Sequence, residues 1–533
     1  MKKSLRVLAA AVAPVPIIAS LVLAGTASAS SQPLVAIPQN VSPAVATSAR
    51  TADLSPSSQI SFAVALKLRD EAGLNSFISQ VGDPTSSMFH HFLTPAQFNA
   101  RYAPTAADVA GVRSFLAANG IRVAKVSGNR DVIDAVGSAA QVEKAFATTM
   151  GVYQHGGQQF FANDSAPRVP AAIAGVVAGV AGLDNHTVRH PESVQSAAPR
   201  ASSPVGFVPS TLHTAYNTGS LGSGTGQSVA LWEFDGFQTP NVTHYDNQFG
   251  LGSSAPTTVS VDGANFDGAP GAGQGEVELD IEIVQAMAKS VQTFVYEAPN
   301  SDQGEIDLSA QIASEDRVSV TSISWGACEA ESTPSSITGT SNGFKQGVSE
   351  GITYYSASGD NGSADCQSGA QGVDYPASDP NVSGVGGTTL RSSGTRRTET
   401  AWSGSGGGVS NTFATPSYQR GSNGHRTVPD VSGDANPATG YAIFSAGTWV
   451  EFGGTSCAAP LWSGFTALHD ANSGTRQGNI NPQLYTIGNG SSFTKDFHDI
   501  TSGSNGAFRA GTGYDEVTGW GTYNGANLSA ALH

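Results

Sequence analysis

Cysteine is scarce in this chain, with three in 533 residues. That excludes a disulfide-stapled miniature scaffold, and an odd count leaves at least one thiol without a partner in the chain. Cys328 and Cys366 each follow an expected core strand and form the candidate pair, whereas Cys457 opens an apolar helix as a buried thiol does.

Basic charge is also short: 26 Lys and Arg stand against 42 Asp and Glu, for a net charge of −16. The deficit is uneven, since residues 1–200 carry 15 basic and 11 acidic side chains and residues 201–533 carry 11 and 31. A polyanionic second half argues against nucleic acid, whose phosphates it repels. A mildly basic first half suits docking onto it, weakening as carboxylates lose charge in acid. The plainer reading is that an acidic surface keeps a secreted protein soluble.

Long apolar runs are confined to the start. Val7 to Leu23, broken by Pro14 and Pro16, follows Lys2, Lys3 and Arg6 and precedes Ala27-Ser28-Ala29, the pattern of a signal peptide over 1–29. No later segment reaches about 18 consecutive apolar residues. A soluble, secreted, extracellular product without a membrane anchor is expected.

Residues 30–56 are rich in Ser, Ala, Pro and Val without a clear period and read as a linker. Over 57–184 the periodicities predict strands at Ile60–Leu68, Arg122–Val126 and Asp131–Val136, and helices at Glu71–Val81, Ala106–Asn119 and Gln141–Thr149, a compact α+β unit. Pro191, Pro199 and Pro204 mark 185–205 as an exposed, protease-accessible connector. From 206 onward short apolar strands alternate with helical segments, which predicts an α/β parallel sheet flanked by helices.

The most specific local string is Gly453-Gly454-Thr455-Ser456-Cys457-Ala458-Ala459-Pro460 before an apolar helix. As N-cap, Ser456 meets the positive end of the helix dipole, the glycines admit a substrate backbone, and Pro460 falls in the first turn. An ordinary capping serine is the plain alternative. A serine nucleophile needs a base, and none of the eleven histidines lies in a small-residue motif opening a helix. Glu276 and Asp280 offer acidic bases instead. Read as a helix, Val277, Ile281, Val284 and Ala288 form an apolar stripe and the two carboxylates share a face; read as a strand, the carboxylates line a solvated face. Asp360, in Ser358-Gly359-Asp360-Asn361-Gly362, ends an apolar strand, where ligands bind in parallel sheets or where an Asp simply shapes a turn.

On these motifs the chain resembles the sedolisins, or serine-carboxyl peptidases. The family's Glu-x-x-x-Asp pair falls on Glu276 and Asp280, its oxyanion-hole Gly-Asp on Gly359 and Asp360, and its Gly-Thr-Ser nucleophile on Ser456. His91-Phe92-Leu93-Thr94-Pro95 is similar to the family's propeptide, and Phe207-Val208-Pro209-Ser210 to the start of its catalytic domain over 206–533. The resemblance implies a subtilisin-like sheet preceded by a small α+β, ferredoxin-like propeptide domain. It implies an acid-active endopeptidase that cleaves proteins and peptides, binds its own propeptide in cis, processes itself and is a monomer after maturation. It also implies one structural Ca2+ held by Asp499, Ile500, Gly511, Gly513 and Asp515, and support of the catalytic pair by Glu233 and Trp325.

Overall fold

A computed structural model describes Met1 and residues 33–38, 40–197, 201–366, 369–393, 396–420 and 424–533. The leader expected over 1–29 lies, Met1 apart, outside the described residues.

The N-terminal domain is built on an antiparallel sheet in the order Arg122–Val126, Val132–Ser138, Gln59–Leu66, Val177–Ala181. With the helices between them this is the βαββαβ, ferredoxin-like connectivity. Local chemistry starts the helices where they start. Asp70 accepts the Gly73 N–H ahead of Glu71–Val81, and Thr105 and Ser138 form capping boxes with Asp108 and Gln141 ahead of Ala106–Ala118 and Ala139–Phe146. Phe62, Val64, Val112, Leu116, Ile133 and Phe146 fill the core.

The stretch 30–56 is more than a linker. Leu34–Ala36 pairs with Arg168–Pro170, and Ala49–Asp53 pairs antiparallel with Met150–His155. Every residue of both segments is exposed, so neither shows the buried-exposed alternation by which a strand is recognised.

The C-terminal domain holds an eight-stranded sheet in the order Thr257–Ser260, Gln292–Glu297, Ser228–Glu233, Val320–Ile323, Thr353–Ala357, Ser383–Ser393, with Val431–Asp434 and Arg396–Ala401 both joined to the last. Neighbours run parallel except at Arg396–Ala401. Helices Gln274–Met287 and Thr455–Ser473 cover one face with Val229, Leu231, Val320 and Tyr355. Ala230, Trp232, Ile323 and Tyr354 point to the other, under Asp302–Glu315 and Pro334–Ser349. Burial on both faces is why these strands read as continuous apolar runs.

The second helix pair also carries the N-terminal domain. Ala63, Val132 and Ala181 pack on Ile306 and Ala310, and Leu74, Phe77, Ile78 and Val81 join the cluster of Ile337, Phe344 and Val348. Lys125–Asp262 and Lys345–Glu71 ion pairs cross this interface, but Asp134 faces Asp262 and Asp307 as well. Apolar burial, rather than attraction between unlike halves, dominates the docking.

The connector read as exposed is inserted into the C-terminal domain. His190–Pro191 pairs antiparallel with Trp325–Gly326, and Val194–Gln195 with Phe452–Gly453. Arg189 is buried between Asp302 and Glu305, at 2.7 and 2.5 Å. Its Pro and Ser content reads as loop because the strap's partners are strands of another domain, not neighbours in sequence.

Candidate active site

The candidate side chains gather at the carboxyl ends of the parallel strands. Glu233 ends Ser228–Glu233, Ser324 and Trp325 follow Val320–Ile323, and Asp360 follows Thr353–Ala357. Glu276 and Asp280 come from Gln274–Met287, which is a helix, and Ser456 from Thr455–Ser473.

The serine helix begins earlier than the sequence suggests. Gly454, at φ +100°, is its cap, so Ser456 is the second helical residue rather than the N-cap. Its main-chain N–H is among those that a helix start leaves without an intrahelical acceptor. Pro460 then lies in the second turn. Its missing N–H is the one that would bond the Ser456 carbonyl, which is left facing Ser324 Oγ at 3.4 Å.

Ser324 links nucleophile and carboxylates. Ser456 Oγ donates to the Ser324 carbonyl at 3.1 Å, and Ser324 Oγ donates to Asp280 Oδ1 at 2.8 Å. Trp325 Nε1 donates to Glu233 Oε2 at 2.7 Å. Burial pushes the Glu276 carboxyl up to about 7, partly countered by the adjoining hydroxyls of Ser193, Ser456 and Ser324. Burial, and then the neighbouring Glu276 charge, raises Asp280 well above the carboxylate range; burial, then Asp280, does the same to Glu233. Three carboxyls in one dry site share protons rather than ionise together.

Asp360 is held by Thr455, the residue before Ser456. Thr455 donates to its Oδ1 through N–H and Oγ1 at 2.7 and 3.0 Å, while Oδ2 has no partner among the described residues. Burial drives its pKa well up against the opposing Thr455 bonds, which favours a neutral acid with a proton to donate.

The strap runs between these groups. Glu192 N–H donates to the Ser324 carbonyl at 3.0 Å, and the Glu192 carbonyl accepts from Ser456 N–H at 2.8 Å. A methyl group on Gly454 would meet the Glu192 carbonyl oxygen at 2.4 Å, Asp360 Oδ2 at 2.5 Å and Ser193 Cα at 2.6 Å. Glycine at 454 is therefore what lets the strap, the serine and Asp360 converge.

This constellation can be set beside known proteins. Residues 46–186 match the family described as pro-kumamolisin, activation domain, and residues 268–480 match the subtilase family. Kumamolisin of Bacillus sp. (strain MN-32) is 33% identical over 474 residues, spanning 82% of this chain and 85% of that protein. Sedolisin of Pseudomonas sp. (strain 101) is 32% identical over 509 residues, spanning 88% and 86%. The chain belongs to the sedolisin family. The solved structure of Pseudomonas sedolisin, a serine-carboxyl proteinase complexed with pseudo-iodotyrostatin, superposes with a TM-score of 0.57 at 28% identity, covering 62% of this chain and 98% of that one. As a sedolisin, the chain is a serine-type peptidase with an activation domain, and its substrates include proteins.

In this sedolisin the residues suggested for calcium also meet. Asp499 accepts the Gly513 N–H at 3.1 Å, and Asp515 accepts those of Gly511, Val517 and Thr518 at 2.9, 3.0 and 2.8 Å. Ile500 packs with Val517 beside this loop, and carboxylate oxygens together with main-chain carbonyls are a donor set that suits a hard cation. Cys328 and Cys366 are joined in a disulfide, and Cys457 is a free, buried thiol. Sequence reasoning missed Ser324 as a bridge, Thr455 as the holder of Asp360, and Glu192 altogether. Only the position of Ser324, just before the tryptophan at a strand end, offered a signal.

Proposed function

We propose that this sedolisin is a secreted, acid-active serine-carboxyl endopeptidase made as a self-processing zymogen. Residues 1–29 are its signal peptide, the domain up to 184 its propeptide, 185–205 the segment cut on activation, and 206–533 the peptidase, a monomer once mature. Among the described residues, no helix is long and apolar enough to cross a membrane.

The reading rests on the continuous contact from Ser456 through Ser324 to Asp280, with Glu276 one turn before Asp280 on the same helix and, among the described residues, no histidine hydrogen-bonded to Ser456 or Asp280. Ser456 Oγ attacks the peptide carbonyl while Glu276 takes its proton. Asp280, supported by Ser324 and by the Glu233–Trp325 pair, shares charge with Glu276. The Ser456 N–H and the protonated Asp360 donate to the oxyanion. Glu276 then returns the proton to the leaving amine, and water hydrolyses the acyl-enzyme. Glu276 must be ionised while Asp360 stays neutral. Burial raises both, and the unpartnered Oδ2 of Asp360 is the oxygen that can carry the donated proton. Release of the strap readmits water to Glu276 and brings its pKa back toward the acid range. Asp499, Asp515 and the carbonyls of Ile500, Gly511 and Gly513 would hold one structural Ca2+.

Turnover of denatured protein across pH 2 to 8 tests this with Glu276→Gln and Ser456→Ala. Both variants should lose at least about a thousandfold in kcat. If Glu276→Gln keeps most of its activity, a histidine-dependent subtilase mechanism takes its place.

A further inference from the structure

The strap is seated as a substrate strand is. Glu192 donates its N–H to Ser324 O and offers its carbonyl to Ser456 N–H, while the chain on either side pairs antiparallel with the groove walls: His190 opposite Gly326, Val194 opposite Gly453. A carbonyl in contact with the nucleophile's own N–H is the one the nucleophile is set to attack. The bond so presented is Glu192–Ser193.

The side chain at that position is unusual. The Glu192 carboxyl is buried, with Oε1 at 3.3 Å from His190 Nε2. One of its oxygens lies within 4.8 Å of a carboxyl oxygen of Asp374, and neither Asp374 oxygen has a hydrogen-bond partner among the described residues. Asp360 and Asp365 face it from the turn after Thr353–Ala357, and Glu331 faces Asp374. Two buried carboxyls this close, with three more nearby and one half-exposed histidine, cannot both be anions. Burial, reinforced by Asp374 for Glu192 and by Asp365 for Asp374, raises both. A carboxylic acid pair sharing a proton fits the pocket, whereas an ionised glutamate does not.

We infer that the first self-cleavage breaks the Glu192–Ser193 bond, and that the pocket around Asp374 selects a protonated acidic side chain on the acyl side of the bonds this enzyme cuts. The inference rests on the serine-carboxyl reading above and names its substrate class. In the step, Ser456 Oγ bonds to the Glu192 carbonyl carbon, and the C–N bond to Ser193 breaks. The serine proton passes through Glu276 to the new Ser193 amine, and water releases Glu192 as a free carboxyl. Discrimination is by protonation: acid seats the side chain, and rising pH expels it by repulsion from Asp374.

The test follows the purified full-length chain after acidification by intact mass and by sequencing of the earliest new N-terminus. That terminus should be Ser193, with a propeptide ending at Glu192. A first cut at another bond overturns the inference and leaves the enzyme reading standing, whereas normal cleavage of the Ser456→Ala chain overturns the self-processing reading itself. Glu192→Gln, which needs no proton, should be cut at the same bond and, relative to wild type, at least about tenfold faster near pH 7 than near pH 4. A second readout uses the mature enzyme on peptides differing only at the acyl-side residue. Below pH 5, Glu should exceed Lys by about tenfold or more in kcat/KM, and the Glu/Gln ratio should fall as pH rises. Asp374→Asn should flatten that fall. A Glu/Gln ratio independent of pH in the wild type, or no preference over Lys, overturns the assignment.

Discussion

The N–H of Ser456 points at the carbonyl oxygen of Glu192 across 2.8 Å. The donor that an oxyanion needs is thus engaged by the chain's own backbone. Latency and substrate recognition use one set of contacts: the antiparallel pairing that keeps other peptides out also lines up a peptide bond with the nucleophile.

Asp360 gives a direct pH test. Its raised pKa means the oxyanion donor is present below that pKa and lost as pH rises through it. In Asp360→Asn the amide donates at every pH but more weakly. The kcat at acid pH should fall by about ten- to a hundredfold, while the decline toward neutral pH is displaced upward. A pH–rate profile of the mature variant checks this.

The C-terminal loop should tie stability to calcium. Chelation of the mature enzyme should lower Tm by roughly 5 °C or more, and Asp515→Asn should abolish the difference between Ca2+ and chelator. Calorimetry reads this without reference to activity.

Asp134 should make docking prefer acid. Burial, then the Asp262 charge, raises its carboxyl to about 6, so its stabilising proton is bound below that pH and lost above it. In the uncleavable Ser456→Ala chain, Asp134→Asn should raise Tm at pH 7 by about 2–4 °C and leave it nearly unchanged at pH 4. Thermal melts at the two pH values decide it. This runs against the acid weakening expected from the charge of the two halves.

The disulfide should act on specificity as well as on stability. Cys328 is paired across strands with Asp374, so the crosslink braces the strand that carries the pocket carboxyl. Replacing both cysteines by serine should cost about 2–4 kcal/mol and raise KM for peptides with an acyl-side glutamate more than it lowers kcat. Denaturant melts and steady-state kinetics measure the two effects.

The sequence by itself determined the sheet's buried strands and the string around Ser456, because periodicity, glycine and small residues act over a few neighbouring positions; it left open whether Glu276 and Asp280 stand on a helix or a strand. The start of the serine helix was off by two residues, since the cap is Gly454 rather than Ser456 and capping is settled by what the freed N–H groups meet. Tertiary structure alone decided that 190–195 fills the groove, that Ser324 joins Ser456 to Asp280, and that Asp374 meets Glu192. Ser324 is 132 residues from Ser456 and 44 from Asp280. Such contacts leave no local pattern in the chain: they arise because parallel strands bring distant strand ends to one edge, and burial there decides which carboxyls keep their protons.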